Sequence, residues 1–104
     1  MRKIEQEMLW AIKTRQDWHK DNTAVYLLSA GETGNPHGSR SAIYLHGNHI
    51  ADFWHGDGSL EVNLRTLKDW PSMTTRSRLR ALGANLVSIK GILHLNGRSI
   101  WEGA

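Results

Sequence analysis

Two turn signals between residues 41 and 64 restrict how this chain can fold. His46-Gly47-Asn48 and His55-Gly56-Asp57-Gly58 each interrupt a run of apolar and aromatic residues. Glycine and asparagine readily adopt the positive φ that tight hairpin turns require, and strands joined by such short turns must be antiparallel. We therefore predict a three-stranded meander, with strands at 41–45, 49–54 and 59–64.

The residues before this meander predict a helix, a strand and a loop. Ile4, Met8, Ala11 and Ile12 recur at helical spacing, and the aliphatic stem of Arg15 extends their stripe, so we predict a helix at 2–19. Residues 23–28 are rich in β-branched and aromatic side chains, which favour a strand. The glycines, asparagine and proline at 30–40 favour a surface loop.

After the meander, we predict a connector at 66–73, a second helix and a final hairpin. Pro71 ends the connector, and the hydroxyl of Thr74 or Thr75 is a suitable N-cap for the helix. The apolar seam of this helix would consist of Leu79, Leu82 and Leu86. Asn96-Gly97 is the strongest hairpin signal in the sequence, and it joins strands predicted at 89–95 and 98–101.

Together these elements predict an α+β fold in a single domain that spans residues 1–104. Their order is α-β-β-β-β-α-β-β, with an antiparallel sheet of about five to six strands. The N-terminal helix and the second helix, near residues 74–86, then cover one face of the sheet, which is the simplest way to bury their apolar sides. A chain of 104 residues is long enough to bury a core without a metal or a disulfide.

Several functional classes are disfavoured by what the sequence lacks. It contains no cysteine, which rules out disulfides and thiolate catalysis and fits a reducing compartment. It has neither an apolar run near the ~20 residues that cross a bilayer nor a signal-peptide pattern at its start, so no membrane partner is expected. The absence of nucleophile-elbow and Walker A patterns favours a binding protein over an enzyme, and we expect no cofactor.

Charge is distributed unevenly along the chain. Residues 65–104 contain seven basic and two acidic side chains, a net charge of +5, whereas residues 21–64 carry a net charge of −4. A basic segment of this kind indicates an anionic partner. We therefore expect the C-terminal part to bind nucleic acid, either DNA or RNA.

The start of the second predicted helix concentrates groups that contact phosphate. Hydroxyls, arginines and free N–H groups at a helix start often donate to phosphate oxygens. At 100° per residue, Arg76 and Arg80 project to one side of the leucine seam and Arg78 to its other flank, so we expect all three to point outward. The predicted nucleic-acid-binding residues are Lys68, Trp70, Thr74, Thr75, Arg76, Ser77, Arg78 and Arg80. The alternative is a solvated basic helix face that binds nothing specific.

The five tryptophans support a second hypothesis. Trp54, Trp70 and Trp101 lie near the ends of predicted elements, where we favour a role in anchoring loops against the core. Trp70 precedes Pro71 in the connector and is therefore expected to be the most exposed. Exposed tryptophans would instead indicate that the chain binds and regulates another protein. Homo-oligomerisation through an edge strand is a variant of this hypothesis.

Three histidines of the meander suggest a third hypothesis. His46, His49 and His55, with Asp52 and Asp57, are residue types that bind divalent metals. Such a site would support a metal-dependent nuclease. Their spacing matches no specific metal-binding motif, so we favour histidines that tolerate left-handed backbone in turns and predict no metal site.

Three segments of the sequence resemble small proteins of T7-like tailed bacteriophages. These segments are MRKIEQEMLWAI, IYLHGNHIA and TTRSRLRAL, which together cover about a third of the chain. The resemblance implies a viral protein that acts in the host bacterial cytoplasm. It also implies that the partner is nucleic acid, or a host protein such as an enzyme or a transcription or defence factor. It implies no functional residues.

Overall fold

The computed structural model describes residues 1–29 and 38–101 of the chain, in which three helices and eight strands alternate irregularly. Most of the loop predicted at 30–40 lies outside the described residues. In chain order the elements are α1 (Lys3–Lys13), β1 (Trp18–Lys20), β2 (Thr23–Leu28), β3 (Arg40–Leu45), β4 (Asn48–Trp54), β5 (Ser59–Val62), α2 (Leu64–Asp69), α3 (Met73–Ala81), β6 (Leu86–Ile89), β7 (Ile92–Leu95) and β8 (Arg98–Ser99).

The strands form two antiparallel sheets. Five strands pair in sequence order from β1 to β5, and β6, β7 and β8 form a separate three-stranded sheet. This arrangement confirms the predicted α+β class, the meander and the Asn96-Gly97 turn. The final hairpins do not extend the main sheet, so the molecule has two sheets where we expected one.

Helix α1 is shorter than the predicted helix, which ran to residue 19. The Thr14 hydroxyl donates to the carbonyl oxygen of Trp10 at 2.7 Å, and Arg15 adopts a φ of 54°, which a right-handed helix cannot contain. The chain then reverses, and β1 pairs with β2. Arg15 is therefore exposed and does not extend the apolar stripe of α1.

The first half of the predicted connector at 66–73 belongs to helix α2. The side-chain oxygen of Asn63 accepts a hydrogen bond from the Thr66 N–H at 3.1 Å and caps this helix, so β5 ends before the predicted residue 64. Helix α3 likewise begins one residue before the predicted Thr74. Its N-cap is Ser72, whose hydroxyl accepts from the Thr75 N–H at 3.1 Å.

Glycines divide the C-terminal part more finely than predicted. Gly83, with a φ of 104°, follows α3 and places Leu86 in a strand instead of in the helical seam. Lys90 and Gly91, both at positive φ, form a turn between β6 and β7. The single strand predicted at 89–95 is therefore two strands.

One apolar cluster connects these elements. Met8 of α1, Leu79 of α3 and the paired Val25 and Ile43 of the main sheet are all completely buried in it. Helices α1 and α3 therefore pack on the same face of the five-stranded sheet, as the sequence predicts. The cluster also contains Leu86, Leu93 and Ile100 from the C-terminal part. Within the described ranges, no helix combines the length and apolarity needed to cross a membrane.

Candidate nucleic-acid interface

Arg78, the central arginine of the predicted site, lies inside the protein. Its side chain is 3% exposed, and its Nη1 donates to Glu5 Oε2 at 2.8 Å. Its Nε donates to the hydroxyl oxygen of Thr23 at 3.1 Å. The expectation that Arg78 points outward is therefore wrong, because the flank of α3 that carries it is covered by α1.

Glu5 is the centre of this buried cluster. Its carboxylate accepts from the Ser77 hydroxyl at 2.6 Å as well as from Arg78. Burial by itself would raise the pKa of Glu5, but the hydrogen bonds from Ser77 and Arg78, a hydrogen bond from the Arg2 backbone and the positive charge of Arg78 together lower it. Glu5 is therefore ionised at neutral pH, and its charge is compensated within the protein.

Arg76 and Arg80 line an open groove between α3 and the start of α1. They lie four residues apart on one side of α3, and Arg2 lines the same groove. Among residues 1–29 and 38–101, no carboxylate forms an ion pair with any of these three arginines. Arg76 Nε donates to the Ser72 carbonyl oxygen at 3.4 Å, and Arg80 Nε to that of Leu86 at 2.9 Å. We call this surface the arginine groove.

Other predicted residues meet at a second cavity, at the start of α3. Trp70, Thr74 and Thr75 line it, together with Leu45 and Ile50 of the main sheet. Thr75 is buried, and its hydroxyl lies 3.0 Å from that of Ser72. The start of α3 is thus capped by Ser72, and the exposed indole of Trp70 lies beside it. The Thr75 hydroxyl is buried against Ser72 and does not face a ligand.

The tryptophans differ in exposure. Trp54 is 8% exposed and packs as expected, with the Arg40 guanidinium 5.5 Å from its ring centroid. Trp70 and Trp101 are 60% and 57% exposed, so the expected anchoring role is wrong for both. Lys68 lies 5.5 Å from the ring centroid of Trp101, away from the arginine groove.

The meander histidines are separated from one another. His49 Nε2 lies 2.7 Å from Asp52 Oδ1, whereas His55 Nε2 lies 2.8 Å from the Ser41 hydroxyl. His46 occupies the turn with a φ of 52°, the conformation we predicted for it. Burial, followed by the charge of Arg15, lowers the pKa of His55. In the part of the chain that the structure describes, no three His, Asp or Glu side chains are grouped to hold a metal ion.

Comparison with known families identifies the chain as a phage protein. The model of the family described as Kyanoviridae Gp96 protein matches residues 1–103. The chain belongs to this family. The predicted viral origin is therefore confirmed, but the resemblance to T7-like phages is wrong, because the family is one of T4-like cyanophages. No curated protein and no solved structure matches this Gp96 family member.

Sequence reasoning missed two residues of the candidate interface in this Gp96 family member. Arg2 joins the arginine groove only because α1 packs beside α3, which no local pattern indicates. Glu5 was detectable, because it precedes Met8 and Ile12 at helical spacing and therefore belongs to the apolar stripe of α1. A carboxylate in such a stripe predicts a buried cationic partner.

Proposed function

We propose that this phage protein is a non-enzymatic nucleic-acid-binding module, and that the arginine groove holds the phosphates. One observation carries the proposal: Arg2, Arg76 and Arg80 line one surface without an ion-pair partner among the described residues. Arginines without carboxylate partners are free to bind another anion. The proposal needs no cofactor and places the protein in the host bacterial cytoplasm.

The surroundings of the groove favour an anionic ligand. The nearest carboxylate, that of Glu5, is 3% exposed and is paired with Arg78, so it does not repel a phosphate strongly. Arg76 and Arg80 are separated by about 6 Å along the axis of α3. Both keep terminal guanidinium N–H groups, which bind phosphate oxygens in a bidentate manner.

This proposal revises the roles of the predicted residues. Arg76, Arg80 and the additional residue Arg2 contact phosphate. Thr74 and Trp70 lie at the second cavity, where the exposed indole of Trp70 suits an unpaired base. Of the remaining predicted residues, Thr75, Ser77 and Arg78 support the fold around the groove, and Lys68 lies beside Trp101, outside it.

The test is the salt dependence of oligonucleotide binding by the wild-type protein and by Arg76→Ala/Arg80→Ala. Removing two phosphate contacts should weaken binding and reduce the slope of log K against log salt concentration by about 1.8 for a duplex or about 1.4 for a single strand. The matched control is Arg65→Ala/Arg98→Ala, which removes two exposed arginines outside the groove. Equal losses in the two variants, or no binding at low salt, would overturn the proposal.

A second candidate function is binding of a host protein. Trp10, Trp70 and Trp101 are between 57% and 62% exposed, and exposed tryptophans are frequent in protein interfaces. A complex with a host protein that survives nuclease treatment, and that is lost in Trp10→Ala or Trp101→Ala, would support this function. A homo-oligomer formed through an edge strand would instead raise the molar mass of the purified protein, measured by light scattering.

A further inference from the structure

The outer face of the five-stranded sheet carries a slot between aromatic side chains. Ala24 alternates with the buried Val25 and therefore faces away from α1 and α3. In the strand register, Ala24 pairs with His19 of β1 on one side and with Tyr44 of β3 on the other. Ala24 is 7% exposed and lies at the bottom of a cavity that these larger rings also line.

The walls of this slot are held in place. The ring centroids of Tyr26 and Tyr44 lie 5.6 Å apart in an edge-to-face arrangement. On its other side, Tyr44 contacts the His49 ring at 5.2 Å, and His49 is held by Asp52. Tyr26 is 45% exposed, so the slot is accessible from solvent.

Two hairpin turns close one end of the slot. The turn after β1 contributes Asp21 and Asn22, and the turn after β3 contributes His46 and Gly47, to a cavity of about 600 Å³. The His46 N–H donates to the Asn22 carbonyl oxygen at 2.7 Å and joins the two turns. Polar groups therefore lie at the end of a cavity whose walls are aromatic.

The spacing of the slot suits a planar ring. Backbones two strands apart in a sheet are separated by about 9.6 Å, and a base occupies about 3.4 Å of a stack. A base that stacks between two rings needs about 7 Å between them, which is less than the ~9.6 Å that separates the strands carrying His19 and Tyr44. A purine or pyrimidine also carries donors and acceptors at its edge, which the carboxylate, amide and imidazole of the turns match.

We propose that this slot binds a nucleobase, which stacks over Ala24 between His19 and Tyr44, meets Tyr26 at its edge and forms hydrogen bonds with the turn residues. The carboxylate of Asp21 at the rim repels phosphate, so the base enters and any attached phosphate stays outside. The slot lies on the face opposite the arginine groove and does not depend on it. The base belongs either to a free nucleoside or to a single strand of nucleic acid.

The experiment is calorimetric titration of the full chain with the uncharged nucleosides adenosine, guanosine, cytidine and uridine, and with single-stranded oligonucleotides. Two-dimensional NMR of the tyrosine rings locates the contact. Saturable binding with shifts of the Tyr26 and Tyr44 ring signals is the expected result. If oligonucleotides bind Arg76→Ala/Arg80→Ala, which lacks two arginines of the groove, much more tightly than nucleosides do, the ligand of the slot is a strand. If they bind this variant equally or less well, the ligand is a free nucleoside.

Variants make the test specific. Ala24→Val fills the floor of the slot with a residue that suits a strand, and Tyr26→Ala removes a wall. Each should weaken nucleoside binding about tenfold or more. Trp101→Ala and Arg76→Ala/Arg80→Ala should leave nucleoside binding unchanged, which separates this site from the arginine groove.

Three results would overturn the proposal. They are the absence of binding of both nucleosides and oligonucleotides to Arg76→Ala/Arg80→Ala at millimolar concentration, unchanged nucleoside binding by folded Ala24→Val and Tyr26→Ala, and binding of tryptophan amide without binding of any nucleoside. The last result would assign the slot to an aromatic side chain of a partner protein.

Discussion

Glu5 and Arg78 form a buried ion pair beneath the arginine groove. The two side chains are 73 positions apart in sequence, and each is nearly completely buried. Taking two charges out of water is costly, and only their mutual contact and further hydrogen bonds, here from Ser77 and to Thr23, compensate for that cost. Removing one partner should therefore be more damaging than removing both.

We predict that Glu5→Gln lowers the free energy of unfolding by about 3 kcal/mol at pH 7, because it leaves the buried charge of Arg78 unpaired. The loss in Glu5→Gln/Arg78→Met should be smaller than the sum of the two single losses. Urea unfolding of the four proteins measures both effects. Additive losses would contradict the proposed pairing.

The pH dependence of this stabilisation follows from the lowered pKa of Glu5. Because the folded-state pKa lies below the ordinary value of 4.5, the contribution is complete above that value and is lost as the pH falls through the lower folded-state pKa. The difference in stability between wild type and Glu5→Gln should therefore shrink on acidification below pH 4.5. A difference that stays constant down to pH 3 would show that the carboxylate is not stabilised in this way.

At the scale of elements, a line of hydrogen bonds joins the main sheet to the start of α2. Arg40 Nη1 donates to Asp52, which contacts His49 Nε2 at 2.7 Å. His49 Nδ1 lies 3.3 Å from the amide nitrogen of Asn63, whose oxygen caps α2. The amide donates to Nδ1, so Nε2 carries the proton and donates to Asp52.

We predict that Asn63→Ala destabilises the protein by more than the ~1 kcal/mol expected for loss of an N-cap, because His49 also loses its donor. Ser72→Ala, which removes only the cap of α3, is the matched control. In double-mutant cycles measured by urea unfolding, His49→Phe should couple to Asn63→Ala and be additive with Ser72→Ala. Additivity in both cycles would mean that the line of hydrogen bonds carries no coupling.

The elements differ in how far the sequence alone predicts their positions. The meander and the last hairpin are specified locally, by Gly47 and by Asn96-Gly97, so their positions were predictable. Helix α2 has six residues, too few for a periodic signal, and its start depends on the side chain of Asn63. The burial of Arg78 was not predictable from α3 alone, since its partner lies in α1. The arginine groove required the same information, because Arg2 also comes from α1.

At the scale of the whole molecule, the two sheets share one core. Leu86 and Leu93 of the small sheet belong to the same buried cluster as Met8 and Ile43. The small sheet therefore has no separate apolar interior among the described residues, and its stability depends on contact with the helices and the main sheet. This arrangement favours cooperative unfolding of the chain as one domain.

We predict that Leu93→Ala lowers the free energy of unfolding by about 2–4 kcal/mol and shifts a single transition for the whole chain. Tryptophan fluorescence and far-ultraviolet circular dichroism, followed in the same urea titration, should give coincident midpoints. Ile92→Ala, at a neighbouring residue that is 47% exposed, is the control and should have a much smaller effect. Two separate transitions would instead show that the small sheet unfolds independently.

The compensated carboxylate beneath the arginine groove has a consequence for the evolution of this family. Any substitution that removes the positive charge at position 78 leaves Glu5 uncompensated beside Arg2, Arg76 and Arg80. Such a change would weaken the anion binding that we propose for the groove, although position 78 itself is buried. Among related phage proteins, positions 5 and 78 should therefore change together, whereas positions 76 and 80 should exchange arginine and lysine independently of each other.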